Sequence, residues 1–392
     1  MLYDNGVLIN STRDEFKEIM EIYNFYSLDN TIAIITIHPT FDCNFKCTYC
    51  IQKDSLNKTE VKIPSILFDK AIIAFFEKYL LENDFKKVKI IWSGGEPLLI
   101  WERIKALTVL MANYCQKKGI QHSFGMVSNG SLISKSVAQE LLQYHISDIE
   151  ITVDGPPDVH NRRRISKDGE NSFERVINGI LNAGQFINVT IRINIDRENI
   201  AYYDDFLKYL SHRIKNLRNV SINIERVVKD NRKSNMDYTS YAIEEFSALE
   251  LDLKNNHSIT KTESTLLCKN LMLRCSAHNI FTLNIDSYLN IYKCPVQIGN
   301  SVNSIGKIQE NGSIYFWGKE NVFNCNFRGM SDYCFYCEVL PLCMGHCTIG
   351  VQNDESKLKY NNEACITSKF NLHSRIQSLI DNLERAENPL KE

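Results

Sequence analysis

The chain has 392 residues, 44% hydrophobic and 23% charged, with a formal net charge of −2. This is the composition of an ordinary globular protein of two or three domains; near-neutral charge gives no electrostatic ground for a nucleic-acid partner, and no apolar run reaches membrane-spanning length. No basic-then-apolar leader opens the chain, so its 13 cysteines are expected in the reducing cytoplasm, as thiols open to metals rather than as disulfides.

In chain order, residues 1–31 read as a small appendage. Asp4-Asn5-Gly6 marks a hairpin. Thr12 followed by Glu15 marks a capping box opening a helix with Phe16, Ile19, Met20 and Tyr23 on one face, expected to cover the bottom of the body. From 32 to about 228, six strand-like segments (32–37, 88–93, 121–128, 148–153, 188–195, 220–227) alternate with helical patterns. The first helix places Leu67, Ala71, Phe75 and Tyr79 on one face after Pro64-Ser65. Such alternation predicts an α/β fold with a parallel sheet and outer helices; six units make a partial (β/α)6 barrel of the TIM type.

Three of these strands place polar side chains on one face: Glu150, Thr152 and Asp154; Thr190, Arg192 and Asn194; Ser221, Asn223 and Glu225. Helices cover the apolar face, so the polar face lines the interior, where an ordinary barrel core is apolar. A ligand-filled lumen is the expectation. Residues 229–266 read as a polar linker with one helix, 267–366 as a cysteine-rich domain, and 367–392 as a helix with Leu372, Ile376, Leu379 and Leu383 on the face against the body.

The cysteines fall in groups. Cys43, Cys47 and Cys50 follow the first strand, Cys115 continues Leu107 and Met111 as a core thiol, and nine lie between 268 and 365. Three clustered thiolates hold three corners of an iron–sulfur cube and leave the fourth iron open for chemistry. A zinc site is the competing reading, with His38 the nearest histidine. After the second strand comes Trp92-Ser-Gly-Gly-Glu-Pro97, whose glycines permit close backbone approach beside the carboxylate of Glu96. Trp92 itself reads as packing.

Together, Cys43-x3-Cys47-x2-Cys50, with aromatic Tyr49, and the Gly-Gly-Glu turn resemble the radical S-adenosylmethionine (SAM) superfamily across residues 32–228. The resemblance implies a [4Fe-4S] cluster whose open iron chelates the methionine end of SAM, with Gly94, Gly95 and Glu96 receiving its ammonium. Tyr49 would contact adenine, Ser128 and Asn129 ribose or carboxylate, and Arg192 the carboxylate; Asp154 is a further candidate, equally readable as a turn residue. An electron from an external donor of the flavodoxin or ferredoxin type would cleave SAM to a 5′-deoxyadenosyl radical that attacks an unactivated carbon.

Cys334-x2-Cys337-x5-Cys343-x3-Cys347 and Cys365, with Cys275 and Cys294 upstream, resemble the SPASM extension of that superfamily. By resemblance, Cys334, Cys337, Cys343 and Cys365 would hold one auxiliary [4Fe-4S] cluster. Cys275, Cys294 and Cys347 would hold another, with Cys268 or Cys325 as its possible fourth ligand, making three clusters in all. Spacing alone also fits a zinc ribbon. Leu289 stands where that family usually has glycine. The implied activity is maturation of a ribosomally made peptide by a thioether or other cross-link, leader recognition falling to a separate protein or to the body itself. Anaerobic sulfatase maturation is the alternative, against which Pro295 stands where that family has an acidic residue; a non-enzymatic iron or zinc scaffold ranks last. Arg162-Arg163-Arg164 reads as a solvated loop, and the spacing of His160 and His346 demands no ligation.

Overall fold

Burial alternates along Ile32–Ile37 (β1), where Ala33, Ile35 and Ile37 turn inward, and along Lys87–Trp92 (β3), where Val88, Ile90 and Trp92 do the same. The computed structural model describes residues 14–52, 63–227, 240–256, 275–318, 334, 336–343, 365 and 368–387. Gln121–Ser128 (β4), Ile146–Thr152 (β5), Asn188–Ile195 (β7) and Val220–Arg226 (β8) continue the sheet in the order β1-β3-β4-β5-β7-β8, every pair parallel. These are the six strands expected, within two residues at each end. Helices such as Ser65–Asn83 (α2), Trp101–Lys118 (α3) and Phe173–Ala183 (α6) bury their apolar faces against the sheet in one continuous core. Cys115 lies in that core, fully buried, and the Trp92 indole donates to Thr108 Oγ1 at 3.0 Å.

The sheet does not stop at β1. Thr282–Ile285 (β9) pairs with it in parallel, and Asn290–Tyr292 (β10), Gly306–Ile308 (β11) and Ile314–Phe316 (β12) follow as an antiparallel meander. The front of the segment read as a separate cysteine-rich domain thus extends the core sheet to ten strands. Period-two patterning in such short strands was too weak to announce them.

The appendage also differs from expectation. Helix Glu15–Ser27 (α1) is capped by Asp14, which accepts from Lys17 N at 3.0 Å; the hairpin and Thr12 lie outside the described residues. Ile19 and Tyr23 pack on Leu340 beside Cys334 and Cys337, and the Tyr23 hydroxyl meets His278 Nδ1 at 2.6 Å. The helix therefore covers the cysteine-rich segment. Helix Ser368–Glu387 docks on Ile243–Asn256 (α8) through polar contacts, Asn371 Nδ2 to Ser247 O at 2.8 Å and Arg375 to Glu250 at 3.0 Å, leaving Ile376 exposed. Among the described residues, no helix is long and apolar enough to cross a membrane.

Leu289, where glycine was expected, adopts φ +66° and is buried in the core. The turn survives because Asp286 accepts from the backbone N–H of Tyr288 and of Asn290, each at 2.9 Å, and from the Tyr292 hydroxyl at 2.8 Å. Left-handed backbone costs a leucine about 1–2 kcal/mol, whereas emptying a buried leucine site costs about 2–5 kcal/mol. Burial wins, so Leu289→Gly is expected to lower the unfolding free energy by roughly 1–3 kcal/mol in denaturant titration despite relieving the backbone.

Candidate functional site

All the candidate residues of the core gather at the C-terminal edge of the parallel strands, and one junction sets their positions. After β1 the chain runs through His38, Asp42 and Cys43 into a short strand, Phe45–Cys47 (β2), which ends on Cys47, with Cys50 just beyond. The turn after β3 is sewn to this run: Ser93 N donates to Ile37 O at 3.0 Å, Gly95 N to Thr40 O at 3.0 Å and Glu96 N to Asp42 O at 2.8 Å. A side chain on Gly94 would overlap Thr40 O, and one on Gly95 would overlap Asp42 O; Gly94 also sits at φ +126°. The glycines are needed because two backbones touch there.

Glu96 closes the junction from below. Its carboxylate, 0% exposed, accepts from Leu98 N at 3.0 Å, Ser128 Oγ at 2.8 Å and Asn129 N at 2.7 Å. Burial pushes its pKa up while these donors pull it down. The side chain is thus engaged in tying the end of β3 to the end of β4, not poised as an open acceptor. Asn129 passes the order on, donating to Asn44 Oδ1 at 2.7 Å with Cys43 Sγ 3.9 Å away. Ser128 and Asn129 are both buried.

On the other side of the loop lies a buried ionic network that the sequence did not announce. β2 pairs antiparallel with Arg164–Ser166 (β6), and Cys47 stands directly opposite Arg164. Arg164 donates to the Tyr49 hydroxyl at 2.9 Å; that hydroxyl in turn donates to Asp154. Arg163 reaches Asp196 at 2.7 Å, Glu198 at 3.3 Å and Asp154 at 3.6 Å, and its guanidinium lies over the Tyr49 ring. Arg163 and Arg164 are 4% and 8% exposed, so this part of the arginine run is not a solvated loop. Only knowledge that residues 164–166 pair with the cysteine strand separates the two readings. Asp154 is more than a turn residue, since its carboxylate holds two side chains from different elements. His160 is buried against Phe173, with Nδ1 3.4 Å from Asp154 N.

The polar lumen is present. Ile149, Ile151, Val189, Ile191, Ile222 and Ile224 are buried on the helix side, while Glu150, Thr190, Arg192, Asn223 and Glu225 are half-exposed on the other. Arg192 donates to Asn194 Oδ1 at 2.9 Å and pairs with Glu150 at 3.4 Å.

Cys43, Cys47 and Cys50 are unbridged thiols close enough to act on one another electrostatically. Burial pushes Cys43 up to about 11 and raises Cys47 as well. Such thiols ionise only against a strong local cation, as metal ligation provides. Among the described residues, no three ligating side chains already stand in metal-holding geometry. The donor chemistry, three thiols with a buried guanidinium opposite one of them, fits an anionic iron–sulfur cluster. Of the C-terminal cysteines, Cys334, Cys337 and Cys365 lie within electrostatic reach of one another and Cys343 ends a short helix nearby in the chain; Cys275 and Cys294 flank β9 and β10. Cys268, Cys325, Cys347 and His346 lie outside the described residues.

Residues 37–210 match the family model of the radical SAM superfamily. That match spans 174 of the 392 residues, from the end of β1 into the helix before β8. The chain spans 56% of an uncharacterised Synechocystis protein (27% identical over 59% of this chain) and 39% of the radical SAM cyclopropyl synthase TigE of Paramaledivibacter caminithermalis (23% identical over 45%). It matches the cysteine-type anaerobic sulfatase-maturating enzyme of Clostridium perfringens at 23% identity over 78% of this chain and 85% of that one. Two solved structures share the fold: anSMEcpe with AdoMet and the Kp18Cys peptide (TM-score 0.66, 18% identity, 89% of this chain and 99% of that one), and Streptococcus suis SuiB with its precursor peptide SuiA (0.53, 14%, 93% and 86%).

Two predictions arise from this radical SAM core. Gly95→Ala is expected to displace the cysteine loop and cut iron retained after anaerobic reconstitution severalfold, measured by iron assay, with the far-ultraviolet spectrum unchanged. His38, 2% exposed with Nε2 unpartnered among the described residues, is held neutral by burial, its pKa lowered to about 3. The unfolded chain binds a proton there below about pH 6.5 and the folded chain does not, so stability falls as pH drops from about 6.5 towards 3, by a few kcal/mol in order of magnitude. His38→Gln is expected to flatten that limb of a denaturation-midpoint profile.

Proposed function

We propose that this chain is a radical SAM maturase that modifies a ribosomally made peptide or a protein side chain. The observation that carries the reading is the cysteine loop fixed by the Gly94-Gly95 junction at the mouth of a polar lumen. When bound, the cluster with SAM supplies one-electron cleavage of the sulfonium and a 5′-deoxyadenosyl radical, fed by an external low-potential donor. The protein's own residues do the rest. Cys43, Cys47 and Cys50 would hold three irons of the cluster, and the Gly94-Gly95 turn would receive the methionine ammonium of SAM. Arg192 and Asn194 offer donors along the lumen for carboxylate or peptide groups. Tyr49, with its hydroxyl held by Asp154, Arg164 and Asn194, would contact the adenine.

Glu96 supports this reading as a positioning residue for Ser128 and Asn129, in place of the direct ammonium acceptor the resemblance implies. In the C-terminal segment, Cys334, Cys337, Cys343 and Cys365 form one auxiliary ligand set, and Cys275, Cys294 and Cys347, with Cys268 or Cys325, form a second. A thiol-rich chain of this kind works in a reducing compartment.

Sulfatase-type maturation, oxidation of Cys or Ser to formylglycine, is the second reading, favoured by the extent of the match to the Clostridium enzyme. Against it, Pro295 follows Cys294 and opens a 3-10 turn, leaving no carboxylate at that position. Mass spectrometry of a candidate peptide with hydrazide trapping separates the two: loss of a hydrogen pair without trapping marks a cross-link, and a trapped aldehyde marks formylglycine.

With SAM and dithionite, the reconstituted chain is expected to release 5′-deoxyadenosine, and Cys43→Ala, Cys47→Ala and Cys50→Ala to abolish it; product surviving in any of them would contradict the assignment. About twelve irons per chain fit three cubes, whereas about four with zinc bound would overturn the auxiliary sets.

A further inference from the structure

One guanidinium in the network has no carboxylate within ion-pair distance. Arg163 is matched by Asp196, Glu198 and Asp154. Among the described residues, Arg164 has no ion pair within 4 Å, its guanidinium donates to the neutral Tyr49 hydroxyl, and its Nε is buried without a partner. Asp154 is bonded to Tyr49 and paired with Arg163, and acts on Arg164 only beyond ion-pair distance. Glu96, on the Cys43 side, accepts from three other donors and acts on Arg164 only at longer range. A guanidinium 8% exposed, with an idle N–H and no matched anion, is costly unless an anion arrives.

The ribbon geometry says where that anion sits. Residues directly opposite in an antiparallel pair project on the same face, with Cβ atoms about 4.5–5.5 Å apart. Cys47 and Arg164 are such a pair, and Arg164 is held there by the Phe45 ring, 6.0 Å from its guanidinium carbon, as well as by Tyr49.

We propose that Arg164 is a built-in countercharge and N–H···S donor for the iron–sulfur cluster on Cys43, Cys47 and Cys50, raising the cluster's reduction potential. The inference rests on the radical SAM reading of those cysteines. Reduction adds one electron to a cluster that is already anionic with its thiolates, so a fixed cation in a low-dielectric site favours the reduced form more than the oxidised one. Hydrogen bonds to cluster sulfurs act in the same direction. Arg164 is a positioning and tuning residue: it stands opposite the ligand Cys47 and acts on it electrostatically.

The test is an anaerobic redox titration of the reconstituted full chain, following the electron paramagnetic resonance signal that changes when SAM is added. That signal belongs to the cluster with the open iron and separates it from any auxiliary cluster. Arg164→Gln removes the charge; Arg164→Lys keeps it but loses the fork of donors. The expected order of midpoints is wild type highest, Arg164→Lys lower and Arg164→Gln most negative, with iron content and thermal unfolding of the lysine variant close to wild type. Should the glutamine variant fail to retain its cluster, the lysine variant decides alone, a negative shift supporting the proposal. Midpoints unchanged from wild type overturn it. So does a change confined to SAM affinity at unaltered potential, which would make Arg164 a ligand for the SAM carboxylate. A wild-type chain with iron but no SAM-perturbed signal would instead sink the reading of Cys43, Cys47 and Cys50, a result distinguishable from failure of Arg164 alone.

Discussion

Two backbone hydrogen bonds, Gly95 N to Thr40 O and Glu96 N to Asp42 O, join the turn after the second core strand to the loop that carries the cysteines. Everything chemical about this protein depends on that joint. The loop after β1 has no helix to define it over residues 38–44, so its course is set by the turn it lies against. Because the two main chains touch, neither glycine has room for a side chain, and the loop and the turn act as one part. Glu96 extends the joint to a third strand through Ser128 and Asn129, and Asn129 returns it to the loop through Asn44. Three parallel strands, adjacent in the sheet and each pinned by the next, hold the loop at their common C-terminal edge.

The other face of the loop is ordered by charge. Pairing of β2 with β6 brings the arginines of a sequentially distant helix end against Cys47 and Tyr49. Asp154 and Asp196, at the ends of β5 and β7, anchor those arginines through Arg163 and the Tyr49 hydroxyl. A buried network of this kind is weak as a source of stability, since desolvation offsets most of the attraction. Its value lies in geometry: it fixes where the loop sits, and it sets the Arg164 guanidinium on the residue opposite Cys47.

Much of this was legible from the sequence where a local pattern carried it. The six core strands declared themselves by period-two burial, the lumen by polar residues at alternate positions, and the cysteine triad by its spacing. The parts that were not legible depend on long-range pairing. Arg164 reads as one of three surface arginines until β6 is seen beside Cys47, 117 positions earlier in the chain by subtraction of their numbers. The bonds from Ser128 and Asn129 to Glu96 likewise join residues more than thirty positions apart. The extension of the sheet by β9–β12 rests on strands of three and four residues, too short to show a period. Leu289 broke a family pattern, and its turn held because the Asp286 carboxylate supplies the order that glycine usually permits.

The central claim is that Cys43, Cys47 and Cys50 hold a cluster whose fourth iron is reserved for SAM. Electron–nuclear double resonance on the reduced protein, with SAM carrying ¹⁷O in its carboxylate and ¹⁵N in its amino group, tests this directly. Hyperfine coupling of both nuclei to the cluster spin is the predicted result, present in the wild-type chain and absent from Cys47→Ala. A reduced cluster that shows no coupling to either nucleus under saturating SAM would contradict the account.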